Sequence, residues 1–283
     1  MVLIRVACST LLVASFQRSC LAHSDWDDNW DCLKGKGKGI EGGANHYIVL
    51  VRHGQYQKGV DDDVDRTLTP LGKQQAALTG ARLKALVLSK QLPPVTKFVA
   101  STMIRAKQTA DIILPHLTHS SNANESSSDG SDAAALPLLT CNMLREGAVY
   151  VPVPAISKQR WAVSDSDFYR DQPRVEAAYR AYVHRHVASP AGDESGSSSD
   201  SDSSSGSGTS GKRGADTTSV LVCHGNVIRY FLTRALQIDP EAWLRFSLAN
   251  GAITVIKVTP SGNCSLQMIG CAGFMPTDSV TFN

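Results

Sequence analysis

Features that would indicate a metal centre or a disulfide framework are missing from this 283-residue chain. Its seven cysteines are odd in number, scattered, and never spaced as Cys-x-x-Cys, which argues against a zinc site and against a set of disulfides. This usage fits a reducing compartment. Aspartates crowd positions 61–65, but no regular ligand spacing follows them. We therefore interpret that run as a solvated loop, and expect no metal and no cofactor.

The chain also lacks a strong excess of charge of either sign. Its formal net charge is +2, and no stripe of Lys and Arg is interleaved with aromatic residues. Both observations argue against nucleic acid as a partner. The apolar run at residues 6–16 is shorter than the roughly 20 residues that a membrane-spanning helix needs.

Acidic residues are absent from residues 1–24, where Arg5 and Arg18 flank this apolar run. Flanking arginines, serines and missing acids are typical of a mitochondrial presequence or anchor. By contrast, Cys20-Leu21-Ala22 resembles the small-residue cleavage site of a secretory signal, and an ordinary buried helix is a third alternative. We treat residues 1–24 as a targeting or anchor segment. A mitochondrial location, with or without membrane association, and a secretory location both stay open.

Residues 25–45 combine a tryptophan motif with a linker of alternating glycine and lysine. Trp26 and Trp30 are flanked by acids and stand outside any apolar periodicity. Exposed aromatic residues of this kind usually need a partner surface, and the flexible linker would let the segment reach one. We expect both tryptophans to lie against a neighbouring subunit. The alternative is that they pack against their own domain.

From residue 46 onwards, short apolar runs alternate with helical segments, which predicts an α/β domain with a largely parallel sheet. Two stretches rich in serine, near 120–134 and at 191–217, are too polar to bury anything and are interpreted as insertions. Predicted strands cover residues 47–51, 95–100, 138–139, 219–223, 252–258 and 264–269. Predicted helices begin at Pro70 behind the N-cap Thr69, follow residue 103, and cover 175–187 and 227–236.

Two of the predicted strands end in the same way. The first ends in Arg52-His53-Gly54, and the fourth in His224-Gly225. Ligands bind at the carboxyl ends of strands in open α/β sheets, so neighbouring strands would bring His53 and His224 together. A histidine there can act as nucleophile or base, and the adjacent arginine is suited to hold a phosphate group.

Two further charged residues stand at comparable positions. Arg105 lies about one turn into a helix, and a helix N-terminus suits phosphate. Glu146 closely follows an apolar segment and precedes a glycine. Taken singly, the first could be a surface arginine and the second a surface acid in a loop.

The chemistry that this set suits is phosphoryl transfer through a covalent phosphohistidine. Arg52, Arg105 and a protonated or donating His224 would neutralise the phosphate monoester and hold it in line for attack. His53 would attack phosphorus with its unprotonated nitrogen. Glu146, with a pKa raised by its surroundings, would protonate the leaving alkoxide and then activate water.

These motifs resemble the histidine phosphatase (phosphoglycerate mutase-like) superfamily, and the pattern at residues 68–76 matches its first helix. The resemblance implies a three-layer α/β/α fold with a mostly parallel central sheet. It also implies roles for five residues: His53 as nucleophile, Glu146 as proton donor, and Arg52, Arg105 and His224 as phosphate-binding groups.

Segments at 26–31, 144–147, 223–230 and 273–276 resemble the mitochondrial serine/threonine phosphatase branch of that superfamily. The resemblance implies that phosphoserine and phosphothreonine proteins are the substrates, and that the tryptophan motif assembles a homo-oligomer. A small-molecule phosphatase or phosphoglycerate mutase is the first alternative, and an oligomeric scaffold with little activity is the second. The motif residues in question are Trp26, Asp27, Asn29, Trp30 and Asp31.

Overall fold

The computed structural model describes residues 26–33, 43–60, 62–118, 136–155, 163–186 and 214–282. Six strands form one sheet in the order β3-β2-β4-β1-β5-β6, parallel except at β5 and β6. The strands are β1 (His46–Arg52), β2 (Val95–Ser101), β3 (Leu138–Cys141), β4 (Thr217–Cys223), β5 (Ile253–Val258) and β6 (Cys264–Cys271). The helices are α1 (Pro70–Leu88), α2 (Ile104–Thr118), α3 (Asp165–Tyr182) and α4 (Gly225–Ala235).

Helices cover both faces of the sheet, which confirms the predicted three-layer architecture. Successive side chains of a strand point to opposite faces. Ile48 and Leu50 of β1 accordingly pack with residues of α3 and α4, whereas Val49 and Val51 pack with residues of α1 and α2. All four side chains are fully buried, as the continuous apolar run predicts for a central parallel strand.

The strand predictions are confirmed, and so is the start of α1. Thr69 accepts a hydrogen bond from the Gly72 N–H at 3.0 Å, and Pro70 occupies the first helical position. The prediction for α3, residues 175–187, is wrong at both ends. The helix begins at Asp165 and ends at Tyr182. Its first turns are polar, so the apolar periodicity that predicts a helix begins late, while a capping box at Ser164 starts the helix earlier.

Trp30 lies against its own domain, so the expectation that a neighbouring subunit covers this side chain is wrong. Its ring is 8% exposed, its centroid is 6.1 Å from that of Tyr179, and its indole N–H donates to the Gly262 carbonyl at 2.8 Å. The next residue, Asp31, accepts from Arg185 Nε at 2.9 Å in a buried ion pair. A buried partner for the indole N–H and for the carboxylate explains why the segment folds back.

Other predictions fall on residues outside the described ranges. They concern the targeting segment 1–24, most of the linker and nearly all of the two serine-rich insertions. Among the described residues, no helix has the length and apolar character needed to cross a membrane.

Candidate active site

His53 lies directly after β1 and is 2% exposed. Its Nδ1 is 2.8 Å from the Gly54 carbonyl, which can only accept, so Nδ1 carries the proton. Nε2 is therefore the unprotonated nitrogen, and it accepts from Arg105 Nε at 3.3 Å. A side chain at Gly54 would come within 2.4 Å of the Gly72 carbonyl oxygen, so the close approach of α1 requires glycine here.

His224 lies at the end of β4, beside His53, with 5.1 Å between the ring centroids. Its Nε2 is 2.8 Å from Ser101 Oγ, which also accepts from the Met103 N–H at 3.4 Å. Ser101 can donate its proton to His224 Nε2, and in that arrangement the ring proton of His224 lies on Nδ1. That Nδ1 is buried and has no hydrogen-bond partner among the described residues. A ligand in the site would find an unused donor there.

The surroundings of both imidazoles favour their neutral forms. Burial lowers the pKa of His53 well below its ordinary value, and the Arg105 and Arg52 charges lower it further. Burial likewise lowers the pKa of His224, followed by the effects of His53 and the same two arginines. His53 is consequently ready to attack through Nε2, and His224 can donate a hydrogen bond without carrying charge.

The two arginines approach these rings from different elements. Arg105, in the first turn of α2, is 3% exposed, and its guanidinium lies 4.7 Å from the centroid of the Tyr56 ring. Arg52, at the end of β1, donates from Nη1 to the Leu248 carbonyl at 2.5 Å. Two buried guanidinium groups beside two neutral histidines form a pocket suited to a dianionic phosphate group.

Asp63 is a residue of the site that sequence reasoning missed. Its carboxylate accepts from Arg105 Nη1 at 3.1 Å and from the Ile104 N–H, at the start of α2, at 3.3 Å. The interpretation of the acidic run as a solvated loop is therefore wrong for this residue. No sequence signal distinguishes Asp63 from its neighbours, because its partner lies about 40 residues away in the chain.

Glu146 lies in the loop that follows β3, and its Oε1 accepts from the Gly147 N–H at 3.2 Å. Burial raises the pKa of this carboxyl, while the Gly147 hydrogen bond and the charges of Arg105, Arg52 and Arg229 oppose the shift. Arg229 is a further arginine near the site that sequence reasoning did not place there. Glu146 and Arg105 share the wall of a cavity of about 290 Å³. The cavity is also lined by Arg66, Met103, Arg170 and Asn226.

The structure thus brings together the five residues that the sequence predicts for the site, and leaves the tryptophan motif apart from it. The family model for the histidine phosphatase superfamily (branch 1) matches residues 48–125 and 170–270. The chain belongs to this superfamily.

Curated relatives match most of the chain. The serine/threonine-protein phosphatase PGAM5, mitochondrial, of Rattus norvegicus is 36% identical over 92% of this chain and 81% of its own length. The protein of the same name from Xenopus laevis is 40% identical over 84% of this chain and 70% of its own length. Among solved structures, Bacillus stearothermophilus YhfR superposes with a TM-score of 0.51 at 17% identity, covering 81% of this chain and 100% of that one. The last similarity supports the fold.

Proposed function

We propose that this member of the histidine phosphatase superfamily is a mitochondrial serine/threonine protein phosphatase that works through a phosphohistidine on His53. The observation that carries the proposal is the state of this ring, whose Nε2 is unprotonated and faces Arg105 while Nδ1 is bonded to the Gly54 carbonyl. The names of the curated relatives support a protein substrate and a mitochondrial location.

In the first step, His53 Nε2 forms a bond to phosphorus while the bond from phosphorus to the seryl or threonyl oxygen breaks. The guanidinium groups of Arg52 and Arg105 stabilise the charge on the phosphoryl oxygens, and His224 Nδ1 donates to one of them. Glu146 gives its proton to the departing oxygen. The raised pKa of Glu146 favours the protonated form that this step requires.

In the second step, water attacks the phosphohistidine and the bond between phosphorus and Nε2 breaks. Glu146, now ionised, takes a proton from the attacking water and so regains its starting form. His53 returns to its neutral state with the proton still on Nδ1. Inorganic phosphate is the product that leaves the pocket.

A trapping experiment tests the proposal. Brief incubation with a ³²P-labelled phosphoserine peptide should give an acid-labile, alkali-stable adduct on the wild-type protein and none on His53→Ala. Rates with this peptide, 2,3-bisphosphoglycerate and sugar phosphates should be compared in the presence of EDTA. Turnover without the adduct would refute the phosphohistidine, and faster turnover of the small molecules would refute the protein substrate.

We further propose that the chain forms a homo-oligomer in which Trp26 is the contact residue of the tryptophan motif. Trp30 and Asp31 anchor the segment to the domain, and the backbone of Asp27 pairs with the Gln237 side chain through two hydrogen bonds. This anchoring presents Trp26, which is 42% exposed, at the surface. An exposed tryptophan held in a fixed position is well suited to an interface.

The two tryptophans should therefore respond differently to truncation. Trp26→Ala should lower the particle mass measured by light scattering while the domain itself stays folded. Trp30→Ala should lower the free energy of unfolding by about 3–5 kcal/mol, which is typical for a buried aromatic residue. An unchanged particle mass in Trp26→Ala would refute the assembly role of this residue.

A further inference from the structure

The loop that carries Glu146 is bound by one arginine of α3. Arg174 Nη1 donates to the Met143 carbonyl at 2.9 Å and to the Arg145 carbonyl at 2.7 Å. Its Nη2 donates to the carbonyl of Glu146 itself at 3.2 Å. A planar guanidinium can serve three backbone acceptors at once, because its donors have a fixed arrangement.

Asp171, one turn earlier on α3, completes this attachment from the other side of Glu146. Its Oδ1 accepts from Arg174 Nη2 at 3.1 Å, and its Oδ2 accepts from the Ala148 N–H at 3.0 Å. The residue is 4% exposed, and Arg170 also donates to it. The two side chains of α3 therefore hold the backbone on both sides of the proton donor.

Gly147 shows how closely α3 approaches this loop. A Cβ at this position would lie 2.4 Å from Asp171 Oδ2 and 2.5 Å from Arg174 Nη2. The Gly147 carbonyl also accepts from Asn226 Nδ2, on α4, at 3.0 Å. Only glycine leaves room for this contact, so the loop sequence and the helix side chains fit one another.

We infer that Arg174 is a positioning residue for proton transfer: it fixes the backbone of Glu146 so that the carboxyl lies beside the leaving oxygen. The inference rests on the proposed role of Glu146 as proton donor. A general acid acts only within hydrogen-bond reach of the oxygen it protonates. A displacement of about 1 Å can cost about 10²-fold in rate.

The contacts of Arg174 argue for this role over a general contribution to stability. The core contacts of α3 are made by Val175, Ala178 and Tyr179, while the Arg174 side chain is 22% exposed. Among the described residues, the hydrogen bonds of its guanidinium go to the Glu146 loop and to Asp171.

The test compares kcat/KM for a substrate whose leaving group needs a proton with kcat/KM for one whose leaving group does not. We expect Arg174→Lys and Arg174→Gln to lower kcat/KM about 10- to 100-fold for a phosphoserine peptide and at most about threefold for p-nitrophenyl phosphate. Nitrophenolate leaves without help, and kcat/KM reports the steps up to ester cleavage, so slow dephosphorylation does not mask the difference. Arg180→Gln is the matched control, because Arg180 lies on the same helix, is 54% exposed and pairs with Glu176. It should match the wild type on both substrates.

Glu146→Gln, measured alongside, separates this inference from the proposed function. Suppose that Glu146→Gln lowers kcat/KM selectively for the peptide, while the Arg174 variants lower kcat/KM equally for both substrates or for neither. The positioning role is then refuted and the proposed function stands. If Glu146→Gln shows no selectivity, the donor role and the positioning role fall together.

A double variant guards against a simple folding defect. In the Glu146→Gln background no donor is left to position, so adding Arg174→Lys should change peptide kcat/KM by less than about twofold. A further loss as large as that of the single Arg174→Lys variant would overturn the inference. Near-ultraviolet circular dichroism should confirm that each variant retains the native fold.

Discussion

The proposed phosphate-holding part of the site (His53, His224, Arg52 and Arg105) and the proposed proton donor, Glu146, are positioned in different ways. His53 and His224 directly follow two adjacent strands, and Arg105 lies in the first turn of α2. The sheet and the helix terminus therefore place these groups, all of which are buried. Glu146 instead lies in a loop that side chains of α3 hold in place. One site thus combines groups positioned by topology with a group positioned by a few hydrogen bonds.

Substitutions in the two parts should consequently have different effects on catalysis. Loss of a phosphate-holding group weakens the stabilisation of the phosphoryl oxygens, which every substrate shares. In kcat/KM, which reports the steps up to ester cleavage, loss of the proton donor affects mainly substrates whose leaving group needs a proton. The ratio between the kcat/KM values for a phosphoserine peptide and for p-nitrophenyl phosphate therefore reports which part a substitution has damaged.

The largest effect is expected for Arg105→Ala. Removing a cation that stabilises a transferring phosphoryl group costs about 10³-fold or more in rate. We expect a loss of that size in kcat/KM for both substrates, with their ratio unchanged. Lys107→Ala on the exposed side of the same helix is the control and should behave as the wild type. A change in the ratio would break the proposed division of the site.

Glu146→Gln should lower kcat/KM for the phosphoserine peptide by about 10²-fold, at the low end of what general acids contribute. The loss on p-nitrophenyl phosphate should be much smaller. Equal losses on both substrates would remove Glu146 from the donor role.

The pH dependence sharpens this prediction. Burial raises the pKa of Glu146, so the protonated donor persists above the ordinary glutamate value of about 4.3. Peptide kcat/KM should fall as the pH rises through this raised pKa, and the fall should be absent in Glu146→Gln. The protonation of His53 should limit activity only well below pH 6.5, because burial and Arg105 lower its pKa.

A smaller loss, about tenfold in kcat/KM, is expected for Ser101→Ala. The variant removes the hydroxyl that can donate to His224 Nε2 and thereby keep the ring proton on Nδ1, so this ring no longer always presents a donor to phosphate. The cost corresponds to a weakened hydrogen bond of about 1–1.5 kcal/mol. Both substrates should be affected equally, with a matching rise in the inhibition constant of vanadate. An unchanged inhibition constant would contradict this account.

The smallest effect is expected for Asp63→Asn, which should increase the affinity for inorganic phosphate. The Asp63 carboxylate occupies Arg105 and the first N–H of α2, which are groups that a phosphate would use. Removing its charge should tighten the binding of inorganic phosphate about threefold, as expected for a partly exposed ion pair. Asp65→Asn in the same loop is the control. Weaker phosphate binding by Asp63→Asn would mean that Asp63 orients Arg105 rather than competing for it.

The sequence by itself determined the sheet and the residues that gather at the candidate site. A short run of aliphatic, largely β-branched residues favours a buried strand, and parallel strands place whatever follows them at one edge of the sheet. This is why His53 and His224 could be predicted as neighbours from two short motifs. The polar start of α3 could not be predicted, because its first turns carry no apolar periodicity. The burial of Asp171 could not be predicted either, because a buried polar residue looks like a surface residue in the sequence.

Tertiary structure alone decided the contacts that hold each group in place. Asp63 with Arg105, Arg174 with the Glu146 loop, and Trp30 with Gly262 join residues that are far apart in the chain. Each contact depends on the three-dimensional placement of hydrogen-bonding groups, which no local pattern encodes. Local apolar periodicity therefore determined where the chain builds its site, and the packing of distant polar groups decided how that site is held.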